Sequence, residues 1–270
     1  MADSFGGGRE PWLARQGNLR NVVRQELVTR QLARHLPGLP ARVLDVGAGQ
    51  GTQSIRLARL GHTVVAAEPD GGMRAAFDEA LAAEAEDVRA RITLVDTAVE
   101  ALSDQHQPKT FDVVLCHGVL MYLPEPGQAL WTLSDLVAPG GMLSVLARNA
   151  DGMALRPGLR RQWADVLDLL DEAAEPQPHY VNELGVRARA DRLEELASYV
   201  SGRRMHIEAW YGVRLLTDGV GVDERVPDDP DELAALLAAE ERVCSTDPYR
   251  KVATLLHVIG RRPAVTDSGR

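Results

Sequence analysis

The sequence predicts an α/β fold, a doubly wound and mostly parallel sheet with helices on both faces. Two observations carry the prediction. From Arg42 to Arg148 short apolar runs alternate with helical patterns, and three glycines crowd the first strand-to-helix turn, in VLDVGAGQGT (43–52). A third observation sets the outline: beyond Ala150 the regular alternation breaks before two more strand patterns close the chain.

The elements follow in order. After a flexible Gly-rich start, GNLRNVVRQELVTRQLARHL places Leu19, Val22, Val23, Leu27, Leu32 and Leu36 at helical spacing and ends near Pro37. This gives an N-terminal helical segment over 1–40. The core, 41–150, reads as strand RVLDVG, helix GTQSIRLARLG, strand HTVVAAE, helix DGGMRAAFDEALAAEAE, strand RITLVD, strand FDVVLCH, helix QALWTLSDLV and strand GMLSVLAR. Residues 151–204 read as a helical insertion before the sixth strand, placed over the sheet's carboxyl edge. It holds the helix LRRQWADVLDLLDEAAE, a Pro-interrupted connection from Glu175 to Arg189, and the helix ADRLEELASYV. Residues 205–262 return to the sheet with RMHIEAWYGVRLL, a helix PDELAALLAAEERVC and the closing strand KVATLLHVIGRR, giving seven strands in all; 263–270 read as a loose tail.

Composition excludes several classes. Hydrophobic residues at 45% and charged residues at 26% of a 270-residue chain are globular values, so disorder and fibrous repeats are out. No run approaches the length of a membrane span, and the N-terminus lacks a signal-peptide profile. The two cysteines, Cys116 and Cys244, have no CxxC spacing and sit in apolar or helical contexts, which fits a reducing cytoplasm. No His/Cys/Asp cluster has metal-ligand spacing. A net charge of −9 argues against a broad polyanion-binding surface while leaving room for a local basic patch.

The glycines set the chemistry. A glycine costs roughly 0.5–1 kcal/mol relative to alanine inside regular structure, so Gly47, Gly49 and Gly51 mark a place where something approaches the backbone. A dinucleotide fingerprint would need a third glycine at Thr52, which weakens a nicotinamide reading. Asp45 stands two residues before the first glycine. Glu68 ends the second strand 17 residues after Gly51, and LVAPGGMLSVL turns into the fifth strand.

This order resembles the class I S-adenosylmethionine-dependent methyltransferases, over a core from Arg42 to Arg148 with a Rossmann-like sheet. The resemblance implies S-adenosylmethionine as cofactor. Its methionyl part would lie against Asp45, Gly47, Ala48, Gly49 and Gly51, its carboxylate near the start of the next helix. Glu68 would accept the ribose hydroxyl protons, and Ala98 and Val99 would flank the adenine. GNLR (17–20), CHGVLMYL (116–123), RNADG (148–152), YGVRLLTD (211–218), DPY (247–249) and LLHV (255–258) extend the match: the chain is similar to the bacterial tRNA 5-carboxymethoxyuridine methyltransferases. On that resemblance Arg20 pairs with the cofactor's carboxylate and His117 lines the pocket.

The insertion qualifies the tRNA reading. That family carries a strongly basic stretch here, whereas 151–204 has eight arginines, no lysine and ten carboxylates, net −2. Asp168, Asp171, Glu172 and Glu175 recur at helical spacing as an acidic face that repels phosphates. The methyl acceptor therefore stays open between a tRNA wobble-uridine derivative and a small metabolite, with an oxygen or nitrogen as the nucleophile. A carboxylate acceptor needs no base, and Arg187, Arg189 or Arg214 would orient it; a hydroxyl acceptor would call on His117 as catalytic base. NPPY and Pro-Cys motifs are absent from the sequence. A non-catalytic S-adenosylmethionine-binding regulatory protein is the alternative; its sign would be a damaged glycine loop, and the loop is intact.

Overall fold

The computed structural model describes residues 9–38 and 40–264. The expected Gly-rich start (1–8) and the last six residues of the expected loose tail lie outside the described residues. The strands are β1 (Arg42–Val46), β2 (Thr63–Ala67), β3 (Ile92–Val95), β4 (Phe111–His117), β5 (Val137–Arg148), β6 (His179–Val181), β7 (Arg187–Arg189), β8 (His206–Val213) and β9 (Leu255–Arg261). The helices are α1 (Arg9–Ala14), α2 (Leu19–Ala33), α3 (Thr52–Arg59), α4 (Gly71–Ala82), α5 (Glu86–Arg89), α6 (Leu102–Gln105), α7 (Pro126–Leu136), α8 (Leu155–Leu159), α9 (Trp163–Ala174), α10 (Leu193–Ser201) and α11 (Pro230–Val243).

Seven strands form one sheet in the order β3-β2-β1-β4-β5-β9-β8. The first five run parallel, and β9 enters antiparallel between β5 and β8. Period-2 alternation splits the strand side chains between two cores. Leu44, Val46, Val114, Cys116, Val145 and Val258 face α7 and α10, while Val43, Val64, Val113, Leu115, Met142 and Ile259 face α3 and the end of α2. A further cluster seats Leu19, Val23 and Leu27 of α2 against Leu146, Val213, Leu237 and Cys244. Both cysteines are buried as small hydrophobes, and burial pushes the Cys116 thiol up to about 12.

Three features differ from the sequence reading. The helix expected over Asp70–Glu86 stops at Ala82 and a separate short helix, α5, follows, with Ala85 extended between them. The connection Glu175–Arg189 contains a β-hairpin, β6–β7. Its turn is built by Asn182, whose Oδ1 accepts from the backbone N–H of Leu184 and Val186 at 3.0 Å each, and by Gly185 at φ +76°. Two prolines masked the alternation of His179, Tyr180 and Val181. Finally, α10 buries Leu196 and Val200 against α7 and the sheet, so the part of 151–204 that stands over the carboxyl edge is α8, α9 and the hairpin.

Candidate functional site

The sheet reverses direction of construction between β1 and β4, and the crevice beyond their carboxyl ends holds a cavity of about 520 Å³. Of the residues singled out in the sequence, Asp45, Gly47, Ala48, Gly49, Glu68, Ala98, Val99 and His117 line it together. Glu68 is 7% exposed and bridges two loops: one oxygen accepts from the Gly49 N–H at 2.8 Å, the other from the Asp70 N–H at 2.9 Å. Burial pushes its carboxyl up, opposed by those two N–H donors. Its remaining lone pairs are those a vicinal diol requires. Gly49 adopts φ +59°, a conformation that other residues take only with strain, and a Cβ there would press the Met73 methyl at 3.2 Å.

Gly51 has another task. It stands outside the cavity wall as the N-cap of α3 at φ +85°, and a Cβ would meet the Phe77 ring at 2.3 Å. What the structure shows for Gly51 is close packing of the start of α3 against α4. Asp45 is buried beneath the loop, accepting from Ser54 Oγ at 2.7 Å, and burial raises its carboxyl to about 6.

His117 ends a buried relay whose protons follow from its far end. Gln31 Nε2 donates to the Gly212 carbonyl at 3.1 Å, which leaves Gln31 Oε1 to accept from His257 Nδ1 at 2.8 Å. His257 Nε2 then accepts from Ser144 Oγ at 2.7 Å, and Ser144 accepts from His117 Nε2 at 2.8 Å. His117 Nδ1 therefore carries a lone pair, and at the cavity wall it is shielded without a hydrogen-bond partner among the described residues. Burial, with the charge of Arg24, lowers the imidazole to about 3. As placed, His117 is a neutral hydrogen-bond acceptor and a poor base at neutral pH.

A second cavity, about 610 Å³, shares Trp12, Arg24, Met121 and Tyr122 with the first. Seven arginines line it, among them Arg20, Arg148, Arg156, Arg160 and Arg214. Arg20 falls here and not in the first cavity's wall, its guanidinium held by Glu183. Arg24, one turn along α2, reaches both cavities and lies over the Trp12 ring at 4.6 Å. Asp218, with its side chain fully buried, takes a bidentate pair from Arg156 at 2.8 and 3.0 Å and a contact from Arg214 at 3.4 Å. Burial lowers Arg214 to about 9, with neighbouring arginines adding to the shift. Its backbone sits in the left-handed region at φ +59°, which costs roughly 1–2 kcal/mol and is stored beside the cavity.

The other two expected orienting arginines stand elsewhere. Arg189 is buried and fixed to Asp191 at 2.7 Å and to the Leu120 and Leu123 carbonyls, and Arg187 is exposed outside either cavity wall. Sequence reading missed Arg24, Tyr122, Arg148, Glu183 and Asp218 as site members. Only Arg24 left a signal, as the i+4 neighbour of Arg20 on one helix face.

Residues 44–143 match the model of a family described as methyltransferase domain. The chain is an S-adenosylmethionine-dependent methyltransferase, with S-adenosylmethionine as its cofactor, and carries a glycine-loop cavity at the sheet's switch point. Among curated proteins, it is 28% identical over 264 residues to the tRNA 5-carboxymethoxyuridine methyltransferase of Escherichia coli K12, covering 93% of this chain and 91% of that one. It is 35% identical over 117 residues to the ubiquinone biosynthesis O-methyltransferase of Paracidovorax citrulli, covering 42% and 47%. Among solved structures, the fold matches a Methanosarcina mazei S-adenosylmethionine-dependent methyltransferase at TM-score 0.59, 12% identity and 86% and 97% coverage. It also matches the Burkholderia thailandensis 1,6-didemethyltoxoflavin-N1-methyltransferase at TM-score 0.53, 19% identity and 96% and 84% coverage.

Proposed function

We propose that the chain methylates a carboxylate oxygen of an acceptor held in the arginine-lined cavity. The observation that carries this reading is the junction of the two cavities: Trp12, Arg24, Met121 and Tyr122 form a common wall, with cofactor-type groups on one side and an unusual density of guanidinium on the other. The cofactor when bound supplies a methyl on a sulfonium; a carboxylate lone pair forms the new O–C bond, the C–S electrons stay on sulfur, and no proton moves. The chain's own residues bind and align. Glu68, His117 Nδ1 and the Gly47–Gly49 backbone hold the cofactor side, while Arg156 and Arg160 turn the acceptor's carboxylate toward the junction; positioning of this kind supplies up to roughly 7–11 kcal/mol. A hydroxyl acceptor is less well served. His117 is lowered to about 3, and burial raises the phenols of Tyr122 and Tyr180, so none of these three side chains is poised to take a proton near pH 7.

Within this class the 5-oxyacetate of a uridine is the first candidate, supported by likeness to the E. coli enzyme over nearly the whole chain. Asp165 and Asp168 on the cavity rim favour presentation of the carboxylate alone over a phosphate-rich surface, which keeps small carboxylate metabolites as the second candidate. A cytoplasmic setting suits either acceptor. The test is incubation with S-adenosylmethionine and either 5-carboxymethoxyuridine-containing tRNA or the free nucleoside, scoring a base-labile methyl ester by mass spectrometry. Ester on either supports carboxylate methylation; turnover confined to hydroxyl or amine acceptors overturns it.

A further inference from the structure

The arginine cluster already holds an anion, and that anion belongs to the chain. Glu183, at the tip of the β6–β7 hairpin, is paired by Arg20, including Nη1 at 2.9 Å, and faces Arg156 at 3.2 Å and Arg160 at 3.6 Å. Arg15 holds the same residue's carbonyl at 3.0 Å. Three guanidinium groups thus converge on one carboxylate. Even so the cluster is incompletely served: the Nε atoms of Arg20, Arg148 and Arg214 are buried without a hydrogen-bond partner among the described residues.

The two carboxylates of the cluster differ in kind. Asp218 is wholly buried, its partners set by packed strands and helices. Glu183 keeps 34% of its side chain exposed and rides on a ribbon whose strands are three residues each, too short to be rigid by themselves. Asp218 belongs to the scaffold; Glu183 is removable. Removal also has a route to the reaction centre, because the neighbouring Asn182 donates to Tyr122 Oη at 3.0 Å, and Tyr122 walls both cavities.

We infer that Glu183 occupies the acceptor's carboxylate site as an internal stand-in, and that an incoming carboxylate displaces it and swings the β6–β7 tip away from Arg20, Arg156 and Arg160. This rests on the acceptor reading above for its ligand class, not for the identity of the acceptor. The tip then sets specificity: an acceptor must compete with an intramolecular carboxylate, so neutral ligands and weakly held monoanions are turned away, and apparent affinity is scaled by the fraction of open tip.

The probe is malonate, titrated calorimetrically into wild type and Glu183→Gln at low ionic strength with S-adenosylhomocysteine saturating. The expected result is malonate binding at least about tenfold tighter in Glu183→Gln, with the S-adenosylhomocysteine Kd within about twofold of wild type. Equal or weaker malonate binding in the variant overturns the inference, as does a variant that loses its fold, since the carboxylate is then a structural pin. In wild type, malonate should speed amide hydrogen exchange over residues 181–187; unchanged exchange at saturating malonate overturns it independently. Tighter malonate binding together with no methylation of any carboxylate would uphold the stand-in and remove the proposed reaction, so the two failures read differently.

Discussion

The two cavities share a wall and are built on opposite principles. The cofactor cavity is made largely of main chain: a glycine turn between β1 and α3, one carboxylate after β2, and a histidine at the end of β4, all inside about 75 residues. The arginine-lined cavity is made of side chains drawn from α2, the end of β5, α8, the β6–β7 hairpin and the residue after β8. The first recognises by shape and backbone polarity, the second by charge. A backbone site tolerates little change in its own turn but is indifferent to distant residues; a converged-charge site tolerates local change poorly wherever one buried partner neutralises another.

The largest effect should come from breaking the charge site at its buried anchor. Asp218→Asn removes the buried counter-charge that Arg156 and Arg214 share and should destabilise the fold by about 3–5 kcal/mol in chemical denaturation at pH 7. Although burial pushes the Asp218 carboxyl up, Arg214, Arg156 and Arg148 outweigh it and hold it below the usual range. A lowered folded pKa gives stability that is complete above the unfolded value of about 3.9 and is lost as pH falls toward the folded one. Wild type should therefore lose stability below about pH 4 through this group, and Asp218→Asn should show a shallower acid limb.

The backbone site is next. Gly51→Ala forces φ +85° on a residue with a Cβ and drives it into buried Phe77, at a cost of about 3 kcal/mol and a Tm drop of roughly 6–12 °C. Asp45 works in the other direction. Its folded pKa is raised to about 6, so the fold binds the proton more tightly than the unfolded chain, and stability declines as pH rises from about 4 to 6. Asp45→Asn keeps an oxygen for Ser54 and should remove that decline, gaining about 1–3 kcal/mol at pH 7; an unchanged profile would show that Asp45 does not titrate there.

Two smaller effects separate ligand binding from folding. Glu68→Ala should weaken S-adenosylmethionine binding about tenfold or more, or about 1.4 kcal/mol, by calorimetry, while malonate binding in the acceptor cavity holds. Ser144→Ala cuts the relay that fixes the His117 tautomer. S-adenosylhomocysteine affinity should fall about three- to fivefold, with a change in the His117 nitrogen shifts and partial rescue by Ser144→Thr. Loss of affinity without a change in those shifts would assign Ser144 a packing role only.

The contrast between the cavities also explains what could be read in advance. Gly47, Gly49 and Glu68 were legible because a strand, a tight turn and a strand end are local events, governed by residues within a few positions of one another. Gly51 was legible as a glycine but not in its task, since Phe77, which demands it, is 26 residues away. Arg20 was visible and its position was not: the helix spacing fixes its face on α2, and only the fold brings Glu183, 163 residues on, to meet it. The β6–β7 hairpin was hidden because its strands are three residues long and are stabilised by tertiary contacts more than by their own pattern.

By itself, then, the sequence determined the chain order of the seven sheet strands, the covering of both sheet faces and the glycine turn, because periodicity and backbone constraint act over short stretches of chain. The tertiary structure decided which arginines converge, which carboxylates neutralise them and which nitrogen of His117 keeps its lone pair. These depend on distances between segments as far apart as Arg20 and Arg214, and charge and hydrogen bonding are set by separation in space rather than along the chain.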